Sequence, residues 1–254
     1  MSAKAQVIVK PSPEALALEA ADRFRRLATD SIATAGSFFV ALSGGSTPRS
    51  LYRLLAESPF RDGIEWSGVH LFWGDERFVP ADNPDSNYRA AREAFVSRVP
   101  IPPGNVRPIP TEAADPEAAA AQYEDTLRRS FSLSGGETPR FDLILLGLGP
   151  DGHTASLFPE SPALDEHKHL VVATYVAKLA AWRITLTPPV LRSAHHVMFL
   201  IAGGDKAAVL RDVLEGPYDP RGLPAQLAQP NEGDLTWLVD EAAASLLSAG
   251  LKWR

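Results

Sequence analysis

Residues 141–159, FDLILLGLGPDGHTASLFP, decide how this chain is read. The apolar run Phe141 to Leu146 reads as a buried strand. A glycine-rich turn follows and sets Asp151 two residues from His153. Thr154 is read as opening a short helical segment. A carboxylate beside an imidazole, at the carboxyl end of a buried strand, is where α/β enzymes keep acid–base chemistry.

Working outward, strand-like and helix-like segments alternate on both sides. Strands are expected at Ala5–Val9, Phe38–Leu42, Val69–Trp73, Leu170–Val176, Arg183–Thr187, Val197–Ala202 and Leu235–Val239. Helices are expected at Pro13–Ala33, Pro48–Glu57, Asn87–Phe95, Lys206–Leu214 and Glu241–Ser248. Asp115 followed by Pro116 is a good helix start, an N-cap and a proline at the first position, for a helix ending near Phe131. Alternation of this kind implies an α/β protein, with a mainly parallel sheet and helices on both faces. The loop-like segments Ser132–Arg140 and Glu215–Glu232 are too short to divide domains, so one domain is expected over residues 1–254. Val99–Pro110 reads as a proline-rich connector.

Composition narrows the function. The chain has 254 residues, 45% hydrophobic, which suffices for a sizeable core. A net charge of -6 argues against a nucleic-acid backbone binder. A small anion is still accommodated by a few local cations and backbone amides. With no cysteine, thiol nucleophiles, thiolate metal sites and disulfides are excluded. The start of the chain shows no apolar signal region, and no apolar run is long enough for a bilayer. The expectation is a cytoplasmic protein that uses neither membrane nor nucleic acid.

Three polar loops follow three strands: Ser43-Gly44-Gly45-Ser46-Thr47-Pro48, Gly74-Asp75-Glu76-Arg77, and Gly147 to His153. If these strands are parallel neighbours, the loops converge on the sheet edge that binds ligands in open α/β folds. The first loop suits an anion. Its glycines let the backbone approach closely, its hydroxyls donate, and Thr47 is read as capping a helix that starts at Pro48. No Gly-Lys-Ser/Thr follows, so it is not a Walker A loop. An ordinary tight turn would look much the same.

Gly147 to Gly152 fits GxGxxG by spacing. A dinucleotide site is rejected, because Pro150 and Asp151 interrupt the loop and no acidic residue follows about 20 positions on. His153 is the candidate general base, with Asp151 or Asp75 holding its tautomer. His167 and His169 lack a third clustered ligand, and His195-His196 reads as surface, so no metal is expected. The candidate cations are Arg77, Arg183 and Lys206. A solvated role is usual for such residues. Arg77 and Lys206 stand apart because each follows a strand end, and Arg183 does so more weakly.

The segments SGGSTPRSLY, FWGDERFVPADNPDSNYRAARE, LLGLGPDGHTASLFP, RITLTPPVL and AGGDKAAVL resemble the 6-phosphogluconolactonases. More distantly they resemble the glucosamine-6-phosphate deaminases and isomerases of the same fold. The matches run in order from about residue 38 to 214. The resemblance implies a Rossmann-like α/β fold, hydrolysis of 6-phosphoglucono-δ-lactone in the oxidative pentose phosphate pathway, and no cofactor. The partner is then a small sugar-phosphate lactone, and the chain a monomer or homodimer. On this reading His153, Asp151 and Asp75 form the catalytic group. Ser43, Gly44, Gly45, Ser46, Thr47, Arg77, Arg183 and Lys206 bind substrate.

One departure separates the two enzyme types. Deaminases look like DGHIAFNEP, with a catalytic glutamate five residues after the histidine, and here that position is Phe158. A non-catalytic, sugar-responsive effector domain of this fold would keep the phosphate loop and need no base. Such regulators usually carry a DNA-binding module, whereas only a short segment precedes the first strand here.

Overall fold

The computed structural model describes residues 5–248. In chain order its strands are β1 (Ala5–Lys10), β2 (Phe38–Leu42), β3 (Val69–Trp73), β4 (Asp75–Arg77), β5 (Leu143–Leu146), β6 (Val171–Val176), β7 (Ala181–Leu186), β8 (His196–Ile201) and β9 (Asp234–Asp240). The helices are α1 (Pro13–Ala35), α2 (Ser46–Leu55), α3 (Phe60–Gly63), α4 (Asn87–Ala94), α5 (Pro116–Ser130), α6 (Pro188–Ser193) and α7 (Ala207–Glu215).

Six strands form one sheet in the order β1-β9-β8-β5-β2-β3, and every neighbouring pair is parallel. Such a sheet must be covered on both faces, so its central strands are apolar throughout. All four residues of β5 are buried, as are Val197 to Ile201 of β8. Adjacent strand residues point to opposite faces, which identifies the covers. Phe38 meets Phe24 of α1 edge-on, centroids 5.3 Å apart. Phe39, on the opposite face, meets Phe131 at the end of α5, centroids 4.6 Å apart. The expected parallel sheet with helices on both faces is therefore present.

Two expected strands went elsewhere. Segment 181–186 pairs with 171–176 on one side and with β4 on the other, in a second, antiparallel sheet, β4-β7-β6. The stretch 75–77, read as loop, is the short strand β4. Gly74 is the corner between the sheets: its N–H donates to Leu42 O at 2.8 Å, and its carbonyl accepts from Leu186 N at 2.9 Å.

Three further expectations need correction. The Thr154 segment is not helical. Ala155 takes a left-handed backbone (φ 47°), which breaks a helix, and Thr154 instead bridges to Leu157. Residues 241–248 form successive turns rather than a helix, with hydrogen bonds such as Leu247 N to Ala244 O at 2.9 Å. Helix α2 begins at Ser46, so Thr47 is not its cap and Pro48 is not its first residue. The N-cap is Gly45, at φ 103° and ψ 170°, a conformation that side chains disfavour.

Among the described residues no helix is long and apolar enough to cross a membrane.

Candidate active site

Chain order sets the location. From β2 the chain passes to β3 on one side, while β5 connects onward to β8 on the other. The crevice lies between the carboxyl ends of β2 and β5, where their following loops part in opposite directions. A cleft of about 300 Å³ opens there, lined by Ser43 to Thr47, Asp75, Arg77, Asn87, Gly147 to Pro150, His153 and Lys206 among others.

Each lining loop is fixed from behind. Tyr52 of α2 is fully buried, and its hydroxyl accepts from Ser43 N at 3.1 Å while donating to Ser43 O at 2.7 Å. Burial pushes that phenol's pKa up, so it remains a neutral donor–acceptor. Tyr123 of α5 grips Trp73 at the end of β3 in the same way, accepting from N at 2.8 Å and donating to O at 3.0 Å. At the end of β9, both Asp240 oxygens accept from Gly203 N at 3.1 Å, and one also accepts from Ala243 N at 2.7 Å. This anchors the turn that carries Lys206.

With these supports the first loop offers free groups to the cleft. Ser43 Oγ is buried and has no hydrogen-bond partner among the described residues. A buried hydroxyl left unpaired is costly, so it marks a place that a ligand atom can satisfy. No side chain caps α2, and its first residues, Ser46 to Pro48, line the cleft. Arg77 and Lys206 line the same space. Arg77 donates to Asp85 O at 2.7 Å, and Lys206 lies 3.5 Å from Asp205.

Arg183 is placed differently. It pairs with Arg77 across β4 and β7 and is not among the residues lining the cleft. Its Nε and one terminal nitrogen are buried without partners. Burial, and then the neighbouring Arg77, lower its pKa.

The two candidate orienters of His153 have separate roles in the geometry. His153 Nδ1 lies 2.5 Å from Asp151 Oδ1. A carboxylate only accepts, so Nδ1 carries the proton and Nε2 is left as the basic atom. Asp75 instead lies in the cleft wall. It accepts from Ser156 Oγ at 2.7 Å, and its backbone carbonyl accepts from Asn87 Nδ2 at 3.0 Å. Gly149 permits this packing, since a β-carbon there would fall 2.0 Å from His153 Nδ1. Burial pushes the His153 pKa down to about 4, against the pull of Asp75, with Lys206, Arg183 and Arg77 adding to the depression. The Asp151 contact works upward, as a carboxylate partner must. On balance the ring is neutral at pH 7, the form that accepts a proton.

Several supports were not legible in the sequence. Glu76 accepts from the backbone N–H of Arg77, Asn87 and Tyr88 at 2.7 to 2.8 Å and from Ser86 Oγ at 3.1 Å. It therefore ties β4 to the start of α4, which carries Asn87 into the cleft. Lys178 forms an ion pair with Asp151 from the β6–β7 hairpin. The segment 215–232, read as a loop, braces the turn that carries His153, with Ala225 N donating to Gly152 O at 2.9 Å. Only the polar run Asn83 to Tyr88 carried any signal, as part of a segment already quoted. His167 and His169 line no part of the cleft, and His196 is the first residue of β8 rather than preceding it. No group of metal-ligating side chains occurs among the described residues.

Comparison with known proteins identifies the family and matches the fold. The family model described as glucosamine-6-phosphate isomerases/6-phosphogluconolactonase matches residues 11–237. The chain is 47% identical over 219 residues to a 6-phosphogluconolactonase of Synechocystis sp., covering 86% of this chain and 88% of that one. It is 40% identical over 245 residues to a 6-phosphogluconolactonase of Nostoc sp., covering 96% and 99%. The solved structure of 6-phosphogluconolactonase from Trypanosoma brucei matches with a TM-score of 0.86 at 32% identity, covering 97% of this chain and 100% of that one.

Proposed function

This chain belongs to the family of glucosamine-6-phosphate isomerases and 6-phosphogluconolactonases, and from that membership we infer that it is a 6-phosphogluconolactonase. It hydrolyses 6-phosphoglucono-δ-lactone to 6-phosphogluconate, with His153 as general base. The observation that carries the reading is the pairing of His153 Nδ1 with Asp151, which leaves Nε2 as a neutral base in a cleft that also holds Arg77 and Lys206.

The phosphate binds at the Ser43–Thr47 loop, against the leading amides of α2 and the unpaired Ser43 hydroxyl. Lys206 and Arg77 supply the countercharge, and Arg183 adds its charge from beside Arg77. Holding the phosphate fixes the lactone carbonyl beside His153. Nε2 takes a proton from water as the water oxygen attacks C1. The carbonyl electrons move onto oxygen, and backbone amides or a neighbouring cation meet that oxyanion. The intermediate collapses by breaking the bond from C1 to the ring oxygen. The imidazolium returns its proton to that oxygen, giving the open-chain acid. Asp151 holds the tautomer throughout, and Asp75 binds sugar hydroxyls or water. No step calls for a metal or cofactor.

Deamination of an amino sugar phosphate is disfavoured by Phe158. Its ring lies against the imidazole, centroids 4.1 Å apart, at the sequence position where deaminases carry their glutamate.

The deciding assay is hydrolysis of freshly prepared lactone, above its spontaneous rate, by wild type and His153→Ala. A positioned base contributes roughly 10²–10⁴-fold, and the variant is expected to lose that much. A folded His153→Ala protein at the wild-type rate would remove the assignment. If wild type gives no acceleration, ammonia release from glucosamine 6-phosphate becomes the next assay, and ligand binding without turnover the one after it.

A further inference from the structure

Beneath His153 four side chains close into a ring of contacts. Asp151 accepts from His153 Nδ1 through one oxygen and from Lys178 Nζ through the other. Lys178 Nζ also lies 4.7 Å from the centre of the Phe158 ring, and Phe158 packs on the face of His153. Lys178 is thus the one side chain in the ring that touches both neighbours of the imidazole without touching the imidazole itself.

The local backbone aims it there. Val176 pairs with Ala181, so strands β6 and β7 are joined by the four residues 177–180. Ala177–Leu179 form a single 3-10 turn, closed by Ala180 N donating to Ala177 O at 3.1 Å. Ala180 sits at φ 46° and ψ 41°, in the left-handed region that a residue with a β-carbon disfavours. A strained tip persists where its surroundings hold it, and such strain gathers at functional sites. The contact with the 151–158 turn is what this tip reaches.

We propose that Lys178 is a positioning residue for His153, holding from the hairpin tip both the carboxylate that orients the imidazole and the phenyl ring that covers it. This rests on His153 being the base of the reaction. Lys178 acts in two ways. It fixes the rotamer of Asp151, and through it the plane of the imidazole. It also offsets the Asp151 charge, so that the carboxylate selects the tautomer without drawing a full proton onto the ring. An uncompensated Asp151 would stabilise imidazolium and weaken the base. The other charges facing His153 are Asp75 and Arg77 from β4, Arg183 from β7, and Lys206 from the turn after β8.

The test compares wild type, Lys178→Met and Lys178→Arg, all full length. Methionine keeps the length and the apolar contact with Phe158 but removes the charge, and arginine restores the charge. Lys178 is about half exposed, so neither change disturbs the core. In Lys178→Met, kcat is expected to fall roughly 10-fold with KM little changed, as for a displaced catalytic group. The His153 ring titration, followed by NMR without substrate, should move up by about one pH unit. Lys178→Arg should return both values towards wild type. Unchanged kcat and an unchanged His153 titration in Lys178→Met would overturn the proposal. So would a shift that arginine does not reverse. Absence of lactonase activity in wild type would instead overturn the functional reading, and the titration would still decide what Lys178 does to the imidazole.

Discussion

Phe158 covers one face of His153, with ring centroids 4.1 Å apart and planes 30° from parallel. An apolar ring against an imidazole keeps water from one side and disfavours the charged form. Phe158→Ala should let water reach the ring and raise its pKa from about 4 towards the ordinary value. The acid limb of kcat/KM is then expected at higher pH than in wild type, with a lower plateau. A pH–rate profile reads both, and an unmoved limb would show that the depression comes from other neighbours.

His153 also links pH to stability. Its pKa is lower folded, about 4, than unfolded, about 6.5. Between these values the unfolded chain binds more protons, so stability rises with pH. This contribution is complete above about pH 6.5 and is lost as pH falls through about 4. It is of the order of 3 kcal/mol at its full extent. Urea unfolding at pH 7 and pH 4.5 should show a smaller difference for His153→Gln than for wild type. Equal differences would mean that the imidazole does not titrate in that window.

Gly149 is a position at which activity and stability should separate. A β-carbon there would lie 2.0 Å from His153 Nδ1, so alanine must push the ring aside. Gly149→Ala is expected to lose about 10²-fold or more in kcat. Its melting temperature should change little, because the displaced ring lies at the cleft rather than in the core. A rate close to wild type would show that His153 can shift without consequence.

The cations can be told apart by binding. Removing a charge-assisted hydrogen bond typically costs about 1.5–3 kcal/mol. Lys206→Ala and Arg77→Ala should therefore raise KM roughly 10- to 100-fold, with the smaller part of the loss in kcat. Both residues line the cleft, whereas Arg183, the cross-strand neighbour of Arg77, does not. A weaker effect on KM is expected for Arg183→Met. An unchanged KM in Lys206→Ala would remove that residue from phosphate binding.

The sequence by itself determined the parallel sheet and which loops meet at the cleft. The Phe141–Leu146 run, the other buried strands and the helices between them follow from local periodicity, which each segment carries alone. The juxtaposition of Asp151 and His153 was legible because only Gly152 separates them. Ser43–Thr47, Arg77 and Lys206 were legible because each follows a strand end, and parallel strands bring such ends to one edge.

Only the tertiary structure decided what depends on long-range pairing. Leu170–Val176 and Arg183–Thr187 read as strands, but their sequence did not say which sheet they would join. Pairing with β4 set that, through the corner at Gly74. Helical signals at Thr154 and after Glu241 gave way because turn geometry outweighs weak local propensity over so few residues. Asp151 rather than Asp75 meets the His153 ring, and Lys178 meets Asp151 from 27 positions along the chain. Such contacts depend on side-chain directions at the meeting of two sheets, and no local pattern in a linear sequence records them.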